Sequence, residues 1–71
     1  MDNLRRLRTA AGMTQLSLQM KTGIDQSLLS KYESGARVPT VENLTILADF
    51  FRTSLDYLAD RTDVREPYPK A

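Results

Sequence analysis

The stretch from Thr14 to Gly35, TQLSLQMKTGIDQSLLSKYESG, decides the fold. It reads as two short helices joined at Gly23. Thr14 is a good N-cap for the first, and Gly23 tolerates the left-handed backbone that ends it near Thr22. Asp25 caps the second, which runs to about Ser34 and stops at Gly35. Ile24 stands just before that cap and Leu28 or Leu29 follows, the pattern of a hydrophobic staple. Leu18, Ile24, Leu29 and Tyr32 are the inward anchors. Gln26, Ser27, Ser30 and Lys31 fall largely on other faces of the second helix. Leu16 and Met20 form a further apolar pair one turn apart.

On the N-terminal side, Leu4, Leu7 and Ala11 share one face of a helix from about Asp2 to Ala11. Asp2 or Asn3 caps it, and Gly12 stops it. Arg5 and Arg6 point away from the apolar face. On the C-terminal side, Pro39 pushes Val38 towards extended backbone. Thr40 then caps a helix from Val41 to about Phe51, with Leu44, Leu47, Ala48 and Phe51 in one inward stripe. Ser54 caps a short last helix, Leu55 to about Ala59, with Leu55 and Leu58 inward. Apolar residues recur at helical spacing without sustained alternation, so the fold class is all-α: a compact five-helix domain over residues 1–60. Residues 61–71, RTDVREPYPKA, are charged and carry two prolines. They are expected to form a flexible tail.

Composition narrows the chemistry. A chain of 71 residues holds one small domain. There is no Cys, so no disulfide or thiolate metal site forms. There is no His, which removes the commonest metal ligand and general base. With no Gly-rich phosphate loop and no metal-spaced carboxylates, the expectation is a non-enzyme with neither metal nor cofactor. No apolar run is long enough for a membrane span, and the charged N-terminus lacks a signal-peptide stretch. Both features predict a cytoplasmic protein. The net charge of +1 is unevenly placed. Residues 1–40 carry six basic and three acidic groups, whereas residues 41–71 carry four basic and six acidic ones. A basic half of this kind can face phosphates while the acidic half faces away.

Two short helices meeting through a Gly-containing turn have the helix-turn-helix spacing. In its DNA-binding form the second helix enters the major groove, and its early residues reach base edges. At this point the chain resembles the phage-repressor and Cro-type helix-turn-helix family, also called the xenobiotic-response-element type. The resemblance rests on Met13-Thr14-Gln15, Leu18, Gly23-Ile24, Leu29-Ser30, Tyr32-Glu33, Gly35, Pro39, the Leu44–Phe51 helix and Ser54-Leu55-Asp56-Tyr57-Leu58, and covers roughly residues 3–59. Two positions depart from the family pattern. Gln19 stands where members carry a small residue, often Ala, and must swing outward or bond locally. Arg52 stands where Gly or Asn is common.

The resemblance implies a sequence-specific double-stranded DNA-binding regulator, repressor-like and of bacterial or phage kind. It would bind a palindromic operator as a homodimer, with the third helix (about residues 26–34) in the major groove. Gln26, Ser27, Ser30 and Lys31 are the candidate base contacts. A Gln suits adenine N6 and N7, a Ser suits either kind of edge, and a Lys reads guanine or holds phosphate. Ser30 has the alternative of bonding back to a helix carbonyl, and Leu28 either packs inward or meets a thymine methyl. Thr14, Gln15, Arg8 and Arg37 are the candidate phosphate contacts, with Gln15 at a helix N-terminus suited to an anion. The same resemblance pairs Arg8 with Glu33 as a clamp of the first helix over the motif. Asp25 is read as structural. Phe50, Tyr57 and the Leu16–Met20 pair exceed what a core this size needs, and Phe50 and Tyr57 are candidates for a dimer contact. The competing reading is an antitoxin-like or protein-interaction module that engages a partner through the segment after Asp60.

Overall fold

The computed structural model describes residues 1–66 of the chain. Five helices follow one another: α1 Asp2–Ala10, α2 Gln15–Thr22, α3 Gln26–Ser34, α4 Val41–Phe51 and α5 Leu55–Leu58, with no strand among the described residues. Four of them start on the side chain expected. Thr14 accepts from the Ser17 N–H, Asp25 from Ser27, Thr40 from Asn43 and Ser54 from Tyr57, at 2.9–3.1 Å. Each such cap satisfies a donor that the helix cannot reach itself, and replacing one with Ala costs about 0.5–2 kcal/mol. Gly23 and Gly35 end α2 and α3 at φ 78° and 85°.

One core joins all five helices. It contains Leu4 and Leu7 of α1, Leu18 of α2, Leu29 and Tyr32 of α3, Leu47 and Ala48 of α4 and Leu58 of α5, with Ile24 from the turn. Leu44, Phe51 and Leu55 are only half-buried and pack against its rim. A fully buried leucine contributes about 1.5–3 kcal/mol by leaving water, so these few anchors dominate a domain of this size. Ala11, expected inward, is exposed, because α1 ends one residue earlier and Ala11 is already its cap. Tyr32 also fixes α4: its hydroxyl oxygen accepts from Asn43 Nδ2 at 3.0 Å.

The start of α1 departs from expectation. Neither Asp2 nor Asn3 caps it with a side chain. The carboxylate of Asp60, just after α5, accepts from the Asp2 and Asn3 amides at 2.9 Å each. Asn3 is buried instead and donates from Nδ2 to the Tyr57 carbonyl at 2.8 Å. Burial pushes the Asp60 carboxyl up, but these two amides and the Met1 ammonium outweigh it and hold the carboxyl below its ordinary value.

The segment after Asp60 is irregular and is bonded to the helical body at its start. Arg61 N–H bonds the Asp56 carbonyl at 2.9 Å, and Thr53 Oγ1 donates to the Arg65 carbonyl at 2.5 Å. The remainder of the expected tail, residues 67–71, lies outside the described residues.

Among the described residues two non-glycines adopt positive φ, Arg52 at 53° and Asp60 at 61°. A side chain there costs roughly 1–2 kcal/mol. At Arg52 the turn closes the end of α4 through backbone bonds that a glycine would keep, and the side chain adds none, whereas the Asp60 side chain supplies the α1 cap. Arg52→Gly should therefore raise the melting temperature by a few degrees. Asp60→Gly, which relieves the same strain, should lower it. Thermal denaturation followed by circular dichroism distinguishes the two, and equal shifts would show that the Asp60 carboxylate adds nothing.

Candidate nucleic-acid interface

α3 divides cleanly between two environments. Leu29, Tyr32 and Glu33 are buried, while Gln26, Ser27, Ser30 and Lys31 are exposed together on its outer side. Leu28 lies between, half-buried against the core. The side chains of Gln26, Ser30 and Lys31 make no hydrogen bond or ion pair within the described residues. Ser30 thus does not bond back to its own helix.

The N-terminus of α3 is closed by two residues from outside the helix. Asp25 Oδ2 accepts from both the amide and the hydroxyl of Ser27. Gln19 Oε1, from α2, accepts from the Gln26 amide at 2.7 Å. The large residue at a position where small ones are usual is thereby accommodated: it bonds locally and links α2 to the first amide of α3. Sequence reasoning named the misfit but not this bond.

Glu33 holds α3 against the rest. Its carboxylate is buried and takes a bidentate pair from Arg8, with Nε to Oε2 at 2.6 Å and Nη2 to Oε1 at 2.9 Å. Gln15 Nε2 adds a bond to Oε1 at 3.3 Å, and Arg5 Nε lies 3.6 Å from the same oxygen. Arg8 Nη1 also donates to the Met13 carbonyl at 2.9 Å. The clamp of α1 over α3 is thus present and extends to α2. Burial pushes the Glu33 carboxyl up, but the bonds from Arg8 and Gln15 and the charges of Arg8 and Arg5 hold it below its ordinary value of 4.5.

This geometry separates the four candidate phosphate residues. Thr14 is exposed at the mouth of α2, with its oxygen already capping Ser17. Gln15 turns its side chain to Glu33, which leaves its backbone N–H, the first amide of α2, as the group for an anion. Arg8 is mostly enclosed, with three of its N–H groups bonded within the chain. Arg37 is exposed in the loop after α3. Arg5, overlooked in the sequence, is 54% exposed beside Glu33 and is the open cation of this corner. Its i, i+3 spacing from Arg8 was the available signal.

Comparison with known proteins agrees with this architecture. The sequence pattern of a helix-turn-helix family matches residues 4–58, and the chain belongs to that family. Among curated proteins it is 39% identical over 69 residues to the uncharacterized HTH-type transcriptional regulator YobD of Bacillus subtilis, covering 97% of this chain and 60% of the relative. It is 38% identical over 60 residues to the cryptic phage CTXphi transcriptional repressor RstR of Vibrio cholerae, covering 84% and 54%. It is 39% identical over 72 aligned positions to the HTH-type transcriptional regulator AnsR of Bacillus subtilis, covering 97% and 62%. The chain thus spans a little over half the length of these relatives. No solved structure gives a significant match.

Removing one partner of a buried ion pair costs about 3–5 kcal/mol, whereas surface changes stay within about 0.5 kcal/mol. Glu33→Ala should therefore lower the melting temperature by more than about 10 °C, and exposed Asp49→Ala hardly at all. A group with a depressed folded pKa stabilises fully above its unfolded value and loses that contribution as pH falls through the folded one. For Glu33 the loss begins below pH 4.5, and Glu33→Gln should flatten that acid limb of stability. Equal melting temperatures for Glu33→Ala and Asp49→Ala would remove the clamp from this account.

Proposed function

We propose that this domain is a sequence-specific double-stranded DNA-binding transcriptional regulator, acting as a repressor, with α3 seated in the major groove. The observation that carries the reading is the outer side of α3. Gln26, Ser30 and Lys31 offer hydrogen-bonding side chains with no partner among the described residues, on a helix whose other side is buried and clamped. Short polar groups near the start of such a helix are what base edges require. The names of the matched relatives, transcriptional regulators and a phage repressor, support the same role.

Gln26, Ser27, Ser30 and Lys31 are assigned to base edges. Phosphates are assigned to Thr14, the Gln15 backbone N–H, Arg37 and, in addition, Arg5. Arg8 serves them mainly by charge, through its place beside Glu33. A homodimer on a palindromic operator would place two copies of α3 about 34 Å apart, one DNA turn. The half-exposed Phe50, packed edge-on against Phe51 at 5.0 Å, offers an apolar surface for that pairing. No helix of the described residues is long and apolar enough to cross a membrane, and a cytoplasmic regulator is the accompanying assignment. No observation favours the antitoxin-like or partner-module reading. The Thr53 and Asn3 bonds to residues 62–65 already engage part of the segment it would use.

Selection of bound DNA from a random pool tests this reading, and absence of any enriched motif at moderate salt defeats it. Given a motif, Gln26→Ala should relax one base pair at a cost of about 1–3 kcal/mol. Arg37→Ala should instead weaken all sites alike and reduce the salt slope by about one.

A further inference from the structure

Ser27 differs from the other candidate base readers because its hydroxyl hydrogen is already committed. It faces the Asp25 carboxylate, whose Oδ2 also accepts the Ser27 amide at 2.9 Å. An ionised carboxylate has no hydrogen to give, so the serine is the donor in this pair. Asp25 stays ionised because the hydroxyl and amide of Ser27 hold its carboxyl below the ordinary value. A serine has one O–H hydrogen and two lone pairs. With the hydrogen turned onto Asp25, only lone pairs remain for an incoming group.

The neighbouring backbone amides are committed as well. The Gln26 amide bonds Gln19 at 2.7 Å, and the Leu29 amide bonds the Asp25 carbonyl at 2.9 Å. The Leu28 amide also points to the Asp25 carboxylate, whose lone pairs outnumber these donors and leave it a further acceptor. A helix start would ordinarily present N–H groups and partial positive charge. The start of α3 presents acceptors and a carboxylate instead.

The major groove offers donors only at adenine N6 and cytosine N4, and acceptors at guanine N7 and O6, adenine N7 and thymine O4. We propose that Ser27 reads DNA as a hydrogen-bond acceptor, selecting an exocyclic base amine and rejecting keto and N7 acceptors, with Asp25 as the positioning residue that sets this polarity. This inference rests on the docking of α3 in the major groove. A serine free to rotate serves either kind of edge, and Asp25 removes that choice.

The test uses the full chain. Selection from a random DNA pool comes first, and failure to enrich any motif would overturn the DNA reading itself. Repeating the selection with Ser27→Ala identifies the base pair that Ser27 reads. An unchanged motif would overturn the present inference while leaving the DNA reading intact. Binding is then measured by fluorescence anisotropy on operators altered at that pair. Purine replaces adenine, or 2-pyrimidinone replaces cytosine, to delete the amine, and 7-deazaadenine or 7-deazaguanine deletes only the N7 acceptor. Amine deletion should weaken the wild-type chain about two- to tenfold, the range of one hydrogen bond, and leave Ser27→Ala unaffected. Deletion of N7 should change neither. Loss of binding on N7 deletion, with tolerance of amine deletion, would overturn the proposal. Asp25→Gly, a mild change for an N-cap, should let keto bases into the Ser27 position. Unchanged discrimination in that variant would remove Asp25 from its positioning role.

Discussion

A buried carboxylate must be paired or it destabilises the fold that buries it. Glu33 imposes that constraint here. It lies near the end of α3, and its partners come from α1 and from the first helix of the motif. Arg8 and Arg5 come from α1 and Gln15 from the start of α2. Arg8 extends the set to the loop before α2 through the Met13 carbonyl. Hydrophobic burial alone would tolerate small rotations of α3 about its axis. A bidentate guanidinium–carboxylate pair is directional and does not. The row of polar side chains on the outer side of α3 therefore has a fixed bearing relative to α1 and α2.

Much of this was legible in the sequence because it is encoded locally. Thr14, Asp25, Thr40 and Ser54 announce helix starts, and Gly23 and Gly35 announce ends, through preferences that act within a few residues. The anchors Leu18, Ile24, Leu29 and Tyr32 follow from helical spacing. The outer row of α3 follows from what those anchors leave over. The Arg8–Glu33 pair came from family resemblance, since two charges 25 residues apart carry no periodic signal.

What stayed hidden involves side chains bonding the backbone of another helix. Asp60 caps α1 from 57 and 58 residues away, and Gln19 reaches the first amide of α3. Neither leaves a mark in composition or spacing. The grip of Asp25 on the Ser27 hydroxyl was hidden for a different reason. The cap itself was expected, but which of its neighbour's hydrogens it would hold depends on a rotamer. The inward turn of Gln15 is of the same kind, because a long side chain at a helix start serves solvent or a buried charge equally well by pattern.

The Asp60 cap also bears on how the chain acquires its structure. The first amides of α1 have no partner until α5 has formed and the backbone beyond it has turned into the left-handed region. α1 in turn supplies the arginines that neutralise Glu33. Local helix formation in the central motif is therefore insufficient to settle α3, and the decisive contacts join the two extremes of the domain. Such long-range closure couples the parts into one cooperative transition. The outer row of α3 thus takes its fixed bearing from contacts that depend on both ends of the domain, and the alignment of that row belongs to the fold as a whole.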